Sequence, residues 1–185
     1  MHISIIAIPD FLPDDVEYIQ SLRARHDQYA GAFGAPYLTV VFPVGIAAAP
    51  PVIEHVRCVA GALAAFSFSL RCALPVYERA SGRTSVYLVP ERGFSAMVRV
   101  HDLLYCGPLR SALQLDVPFI PHLRVAQFDD AARAKKLADR LNDEGVSLLG
   151  TVASLQVIEV DGERFEPLAR FELAAAAGVP SSRMH

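Results

Sequence analysis

One short phrase occurs twice in this chain, and the repeat limits the folds that the sequence can form. Residues 36–40 read PYLTV and residues 121–125 read PHLRV, 85 positions later. Proline, leucine and valine are the same in both, and only the two intervening positions differ. Leucine and valine at alternate positions are typical of a strand with one buried face. The repeat therefore predicts two equivalent strands whose other faces carry different polar side chains.

The elements around the two phrases follow the same order in both halves of the chain. Each half reads strand, helix, phrase-bearing strand, helix, strand. The predicted strands cover residues 2–8, 37–42, 67–77, 84–89, the region of His122, 151–160 and 164–172. The predicted helices cover residues 13–29, 51–66, 92–105 and 129–145. The matching places of the two phrases favour an internal duplication.

This order predicts an α+β fold with two pseudo-symmetric lobes. Each lobe would be a mostly antiparallel sheet with helices outside, and the phrase-bearing strands would face each other across a central cleft. We expect a single bilobal domain over residues 1–175, with lobes of roughly 1–80 and 81–175, and leave an exchange of strands between them open. Residues 176–185 are expected to form a flexible tail.

Composition narrows the classes of partner. The net charge of −3 gives no broad attraction for nucleic acid, so we expect no DNA partner and a phosphate-bearing ligand held by a local cluster. No run approaches the roughly 20 apolar residues that span a bilayer, and the N-terminus lacks the basic start of a signal peptide. The three cysteines show no ligand spacing and suit free thiols in a reducing cytosol. We expect a cytoplasmic monomer that does not bind membranes.

The polar letters of the two phrases are the candidate site. Side chains two positions apart on a strand share a face, so Tyr37 lies with Thr39 and His122 lies with Arg124. If the halves pair about a pseudo-two-fold axis, the four side chains converge on one groove. Each residue also has an ordinary structural interpretation. His122 would be a histidine hydrogen-bonded to a neighbouring backbone group, and Tyr37 an aromatic residue packed on a strand. Thr39 would be a β-branched strand former, and Arg124 a solvent-facing strand residue.

Several longer segments resemble a known family. They are RARHDQYAGAFGAPYLTVVFP, VRVHDLLYCGPL, FIPHLRVAQFDD and LNDEGVSLLGTVASLQVIE, which together extend over most of the chain. In their order and spacing they resemble the two-histidine (2H) phosphoesterases, the superfamily of 2′-5′ RNA ligase-like proteins and cyclic nucleotide phosphodiesterases. That family carries one His–X–Thr/Ser motif per lobe.

The resemblance implies metal-free acid–base chemistry on a phosphodiester. The two histidines of the family serve as general base and general acid, and the hydroxyls hold the phosphate oxygens. An imidazole with a pKa of about 6.5 can give or take a proton at neutral pH. By resemblance, His122 and Tyr37 would be the catalytic residues, and Thr39 and Arg124 would bind the substrate. The ligand would be a phosphorylated nucleotide or an RNA end, with no cofactor.

Both motifs depart from the family pattern. Tyr37 stands at the first histidine position, and a tyrosine with a pKa of about 10 is a poor base at pH 7 but a competent proton donor. Arg124 stands at the second Thr/Ser position, and a guanidinium binds phosphate through two parallel hydrogen bonds. The site would therefore be a degenerate one.

Three functions remain open from the sequence. The first is a working enzyme on a 2′-5′ phosphodiester or a 2′,3′-cyclic phosphate, with His122 as the base. The second is a non-catalytic module that binds a nucleotide or an RNA end. The third is a scaffold in which both marked strands are structural.

Other polar residues carry weaker signals. The remaining histidines have no metal-ligand spacing, so we expect no metal. His101 falls on the apolar face of its helix and is interpreted as a core histidine. Arg79, Arg83 and Arg92 either extend a phosphate pocket or form a solvated rim.

Overall fold

The computed structural model describes residues 1–27, 35–79, 81–162 and 164–175 of the chain. In these ranges the strands are β1 (His2–Phe11), β2 (Leu38–Gly45), β3 (Phe66–Glu78), β4 (Arg83–Arg92), β5 (Leu123–Phe128), β6 (Leu148–Asp161) and β7 (Arg164–Glu172). The α-helices are α1 (Pro13–His26), α2 (Pro50–Gly61), α3 (Phe94–Leu104) and α4 (Ala131–Asp143). A short 3₁₀ helix, Gly107–Ala112, was not predicted from the sequence.

The strands form one sheet in the order β2-β1-β6-β3-β4-β5, and β7 pairs with β6. The pairings between these strands are antiparallel. The prediction of an α+β fold with a mostly antiparallel sheet is confirmed. Strand β6 joins the two sides of the sheet, because its Val152 pairs with Pro9 of β1 and with Phe66 of β3. The division into lobes near residue 80 stays a prediction.

Each phrase-bearing strand is covered by a helix from the other half of the chain. Helix α1 packs on β5, and α3 packs on β2. Arg23 Nε of α1 donates to the Arg124 carbonyl of β5 at 3.0 Å, and His101 Nδ1 of α3 lies 2.8 Å from the Val40 carbonyl of β2. His101 is buried and stacks on Phe119, with 3.9 Å between the ring centroids. This placement agrees with the interpretation of His101 as a core histidine.

Helix α4 shows how local sequence sets these elements. The Asp130 side chain accepts the Ala132 N–H at 2.8 Å and so caps the N-terminus of the helix. Gly145, with φ of 70°, follows the helix where a left-handed residue commonly ends one. The apolar face of the helix is buried against the sheet and consists of Ala134, Leu137, Ala138 and Leu141.

Helix α2 ends earlier than the predicted range of 51–66. Its last residue is Gly61, and the next residues leave the helix to pair with the end of the chain's described part. Ala65 N donates to the Ala174 carbonyl at 2.8 Å, and Ala174 N donates to the Leu63 carbonyl at 2.9 Å. These tertiary hydrogen bonds compete with further helical ones, and a single-sequence pattern does not contain them.

Two predictions fall outside the described ranges. They are the end of the first helix near Tyr29 and the flexible tail at residues 176–185. Across the residues that the structure does describe, the helices are all too short or too polar to cross a bilayer.

Gly93, which precedes α3, provides a stability test of the frame around the site. Its φ is 83°, and an added Cβ would lie 2.6 Å from Phe68 Cβ. We expect Gly93→Ala to lower the free energy of unfolding by about 2–4 kcal/mol, from left-handed strain and overpacking together. Gly82→Ala is the control, because Gly82 has φ of 69° but open space around its Cβ position. Urea denaturation should separate the two variants, and equal losses would contradict a steric role for Phe68.

Candidate active site

The four residues singled out from the two phrases line one cavity. Tyr37, Thr39, His122 and Arg124 all face a pocket of about 730 Å³. The alternate residues of both phrases are buried on the opposite side and are Leu38, Val40, Leu123 and Val125. The predicted convergence is therefore present in the structure. Their roles in binding or catalysis stay predictions.

The strands hold the four residues at slightly different places from those expected. Tyr37 immediately precedes β2 and His122 immediately precedes β5, although the sequence placed both on strands. Thr39 lies within β2, where it pairs with Ile6 of β1, and Arg124 lies within β5, where it pairs with Tyr87 of β4. In each phrase the first polar residue thus precedes the strand, and the second lies within the strand, where pairing with the neighbouring strand holds it in place.

His122 is held in one tautomer. Its Nδ1 lies 2.7 Å from the Ile120 carbonyl, which can only accept, so Nδ1 carries the proton and Nε2 of the neutral ring is unprotonated. The ring stacks on Tyr87, with centroids 3.6 Å apart and planes at 15°. Burial lowers the pKa of His122 below the usual imidazole value, although the hydrogen bond to Ile120 and the charge of Glu78 oppose this. His122 is thus neutral and able to accept a proton at pH 7.

Glu78 lies at the centre of a hydrogen-bond network that includes Tyr87, the residue on which His122 stacks. Its Oε1 accepts from the Tyr87 hydroxyl at 2.7 Å and from the Ser85 hydroxyl, and its Oε2 accepts from Gln127 Nε2 at 2.9 Å. Burial alone would raise the pKa of Glu78, but the hydrogen bonds from Ser85 and Tyr87 bring the pKa below its ordinary value. Burial and the bond to Glu78 raise the pKa of Tyr87. Glu78 is therefore a carboxylate and Tyr87 a neutral phenol.

Arg124 forms an ion pair at the cavity wall. Its Nε donates to Asp27 Oδ2 at 3.1 Å, and the side chains are 31% and 1% exposed, respectively. Asp27 follows α1 and bridges to Gln127 of β5, so the helix end is fixed beside the cavity. The guanidinium that stands at the family's hydroxyl position is consequently oriented by a buried carboxylate.

Arg23 is a second cation at the cavity, and the sequence did not point to it. Its guanidinium lies 5.9 Å from the centroid of the Tyr37 ring, while its Nε donates to the Arg124 carbonyl. Burial lowers the pKa of Arg23, which nevertheless stays a cation at neutral pH. Asp27 is four residues after Arg23, and a helix over the predicted residues 13–29 would place both on one face. That spacing was the available signal, but nothing local shows which strand the face meets.

The remaining candidate cations, Arg79 and Arg83, lie in different surroundings. Arg79 lines the cavity and can extend a phosphate pocket. Arg83 Nε donates to Asp129 Oδ1 at 3.0 Å in an exposed ion pair, which agrees with the rim interpretation for this residue.

Tyr37 packs edge-on against Phe165, with 6.4 Å between the ring centroids. The cavity thus combines a neutral imidazole, a phenol, a hydroxyl and several cations, which are groups that can transfer protons and supply positive charge.

Comparison with known proteins finds one matching family and several structures with a similar fold. A family model described as the 2′-5′ RNA ligase superfamily matches residues 11–164. Escherichia coli LigT, solved in complex with NADP+, is 19% identical with a TM-score of 0.57, over 93% of this chain and 97% of LigT. TT0787 of Thermus thermophilus is 16% identical with a TM-score of 0.63, over 96% of this chain and 100% of its own.

A eukaryotic protein shares the fold as well. Usb1 of Kluyveromyces marxianus is 10% identical with a TM-score of 0.53, over 93% of this chain and 98% of Usb1. At these identities the structural likeness shows the fold alone. No curated protein sequence matches the chain. The family-model match extends over most of the chain and suggests 2H phosphoesterase-like activity on RNA or nucleotides. The chain belongs to the 2′-5′ RNA ligase superfamily.

Proposed function

We propose that this protein binds and hydrolyses a 2′-5′ phosphodiester or a 2′,3′-cyclic phosphate of RNA or a nucleotide, as a 2′-5′ RNA ligase-like phosphodiesterase. The observation that carries the proposal is His122, whose Nδ1 is bonded to a carbonyl, lining one cavity with Tyr37, Thr39 and Arg124. Structures of LigT in complex with ATP, 3′-AMP and phosphate support a phosphorylated nucleotide as the ligand.

The chemistry needs one base and one acid. Water attacks the phosphorus atom and gives its proton to Nε2 of His122, while the bond from phosphorus to the leaving ribose oxygen breaks. Tyr37 gives its phenolic proton to that oxygen. His122 then carries the proton that water has lost, and exchange with solvent restores both groups after the product leaves. Thr39 donates a hydrogen bond, and Arg124 and Arg23 supply charge to the phosphate oxygens.

A second candidate function is binding without turnover. The observation that favours it is Tyr37 itself, because a phenol stands where the family pattern has the first of its two histidines, so the acid–base pair is incomplete. The test is hydrolysis of 2′,3′-cyclic nucleotides and 2′-5′-linked dinucleotides by the wild type, with calorimetric binding of 2′-AMP and 3′-AMP in parallel. Binding with no turnover supports the second function, and the absence of both supports a structural role alone.

Arg23 provides the binding prediction. We expect Arg23→Met to weaken 3′-AMP binding by about 10- to 100-fold, since a charge-assisted hydrogen bond contributes about 1.5–3 kcal/mol. Arg71→Met is the matched control, because Arg71 is an exposed arginine of β3 whose partner, Glu91, is 3.3 Å away outside the cavity. Titration calorimetry measures both, after thermal melts confirm folding. Equal affinity of the Arg23 variant and wild type would remove Arg23 from the binding site.

A further inference from the structure

The positive charge that His122 gains when it accepts a proton has to be stabilised by its surroundings. Its Nδ1 is bonded to the neutral Ile120 carbonyl, and within the described residues no carboxylate contacts the ring. When Nε2 accepts a proton, a half-buried imidazole becomes a cation, and burial of a charge is costly unless something compensates it. The Tyr87 phenol is in direct contact with the face of the ring.

Tyr87 is suited to that task by its geometry and by its partner. Its ring lies nearly parallel to the imidazole at 3.6 Å, so its negative face meets the ring that becomes charged. Its hydroxyl donates to Glu78 at 2.7 Å, which increases the electron density of the phenol. Ser85 and Gln127 hold Glu78 in place through their own hydrogen bonds. The carboxylate is therefore linked to the imidazole through the stacked aromatic ring of Tyr87.

We infer that Glu78 and Tyr87 are a positioning pair for His122, which fixes the plane of the imidazole and stabilises its protonated form during phosphodiester cleavage. The inference rests on the proposed function for its catalytic consequence. The stack of Tyr87 on His122 and the hydrogen bond from Tyr87 to Glu78 are present whether or not the protein hydrolyses a substrate.

Other charged groups also face His122 and set its proton affinity. Arg124 on β5 disfavours the imidazolium, and Glu78 at the end of β3 favours it. The cavity also presents Arg23 from α1, Asp27 just after α1, Tyr37 before β2, Arg79 after β3 and Asp116 from the loop before β5. Because the experiment below changes Glu78 or Tyr87 alone, these groups act equally in all the variants compared.

The test uses Glu78→Gln, which keeps the shape and removes the charge, and Tyr87→Phe, which keeps the stack and removes the bond to Glu78. Glu91→Gln is the control, since it removes an exposed carboxylate of β4 outside the cavity. The pKa of His122 is measured by NMR titration of ¹⁵N-histidine-labelled protein, with His122→Asn used to assign the resonance. This readout does not depend on turnover.

We expect the pKa of His122 to fall in Glu78→Gln, to fall less in Tyr87→Phe and to stay at the wild-type value in Glu91→Gln. In kinetics, the acid limb of kcat/KM should move to lower pH and the plateau should drop by about 2- to 30-fold, the range of a buried cation–π contact. A pKa of His122 that stays unchanged in both cavity variants would overturn the inference. If the pKa moves while the wild type hydrolyses nothing, the positioning pair stands and the proposed function fails.

Discussion

His122→Asn is expected to lose about 10²–10⁴-fold in kcat/KM on 2′,3′-cyclic nucleotides, because the base that takes the proton from water is gone. Asparagine keeps a side-chain N–H that can donate to the Ile120 carbonyl, the partner of His122 Nδ1. The variant therefore removes the proton acceptor with little change in packing, and the loss should fall on kcat more than on KM. Steady-state kinetics at several pH values measures this.

The control for that variant is a histidine outside the cavity. His55 of α2 has its Nε2 within 3.1 Å of the Leu104 carbonyl, so His55→Asn removes an imidazole with a similar main-chain bond. We expect it to keep wild-type kinetics. In the wild type, the lowered pKa of His122 means that the base stays unprotonated below the usual imidazole value, so kcat/KM should fall only under about pH 6.5. Wild-type turnover that survives in His122→Asn would exclude His122 as the base.

The alternation of the two phrases was enough to predict which side chains meet. A strand has a period of two, so each phrase could show only two faces, and the apolar face of each had to be the buried one. Leu38 and Leu123 are accordingly 1% and 0% exposed, while Thr39 and Arg124 line the cavity. The repeat added the expectation that the two strands occupy equivalent places, which a single phrase cannot contain.

The partners of these side chains could not be predicted in the same way. Asp27 and Glu78 lie at the ends of α1 and β3, and each reaches the site only because its element docks on strands far away in the sequence. The docking is set by long-range pairing, such as β6 between β1 and β3, which local patterns do not specify. A carboxylate at the end of a strand is ordinarily exposed to solvent, so nothing in the sequence singled out Glu78. Its role depends on Tyr87 and Gln127, which the folded sheet brings beside it.

Tyr37→His is expected to raise turnover of 2′,3′-cyclic nucleotides by about 10²-fold, because it restores a second group with a pKa near neutrality. The imidazole would enter a position that faces the cavity and lies beside the Arg23 guanidinium. That cation disfavours an imidazolium, so the new acid should release its proton readily to the leaving oxygen. A bell-shaped pH dependence of kcat/KM should replace the single acid limb of the wild type.

Two further variants decide whether such a gain comes from acid–base pairing across the cleft. Tyr37→Phe removes only the hydroxyl and should lower whatever turnover the wild type has, while leaving the ring contact with Phe165 in place. The double variant Tyr37→His with His122→Asn should lose the gain entirely, because one imidazole cannot both take the proton from water and supply one to the leaving oxygen in the same step. A gain that persists without His122 would place the new histidine in a different reaction. If Tyr37→His shows no turnover but still binds nucleotide, the non-catalytic binding module is favoured, because the missing first histidine would then not be the only reason for the lack of activity.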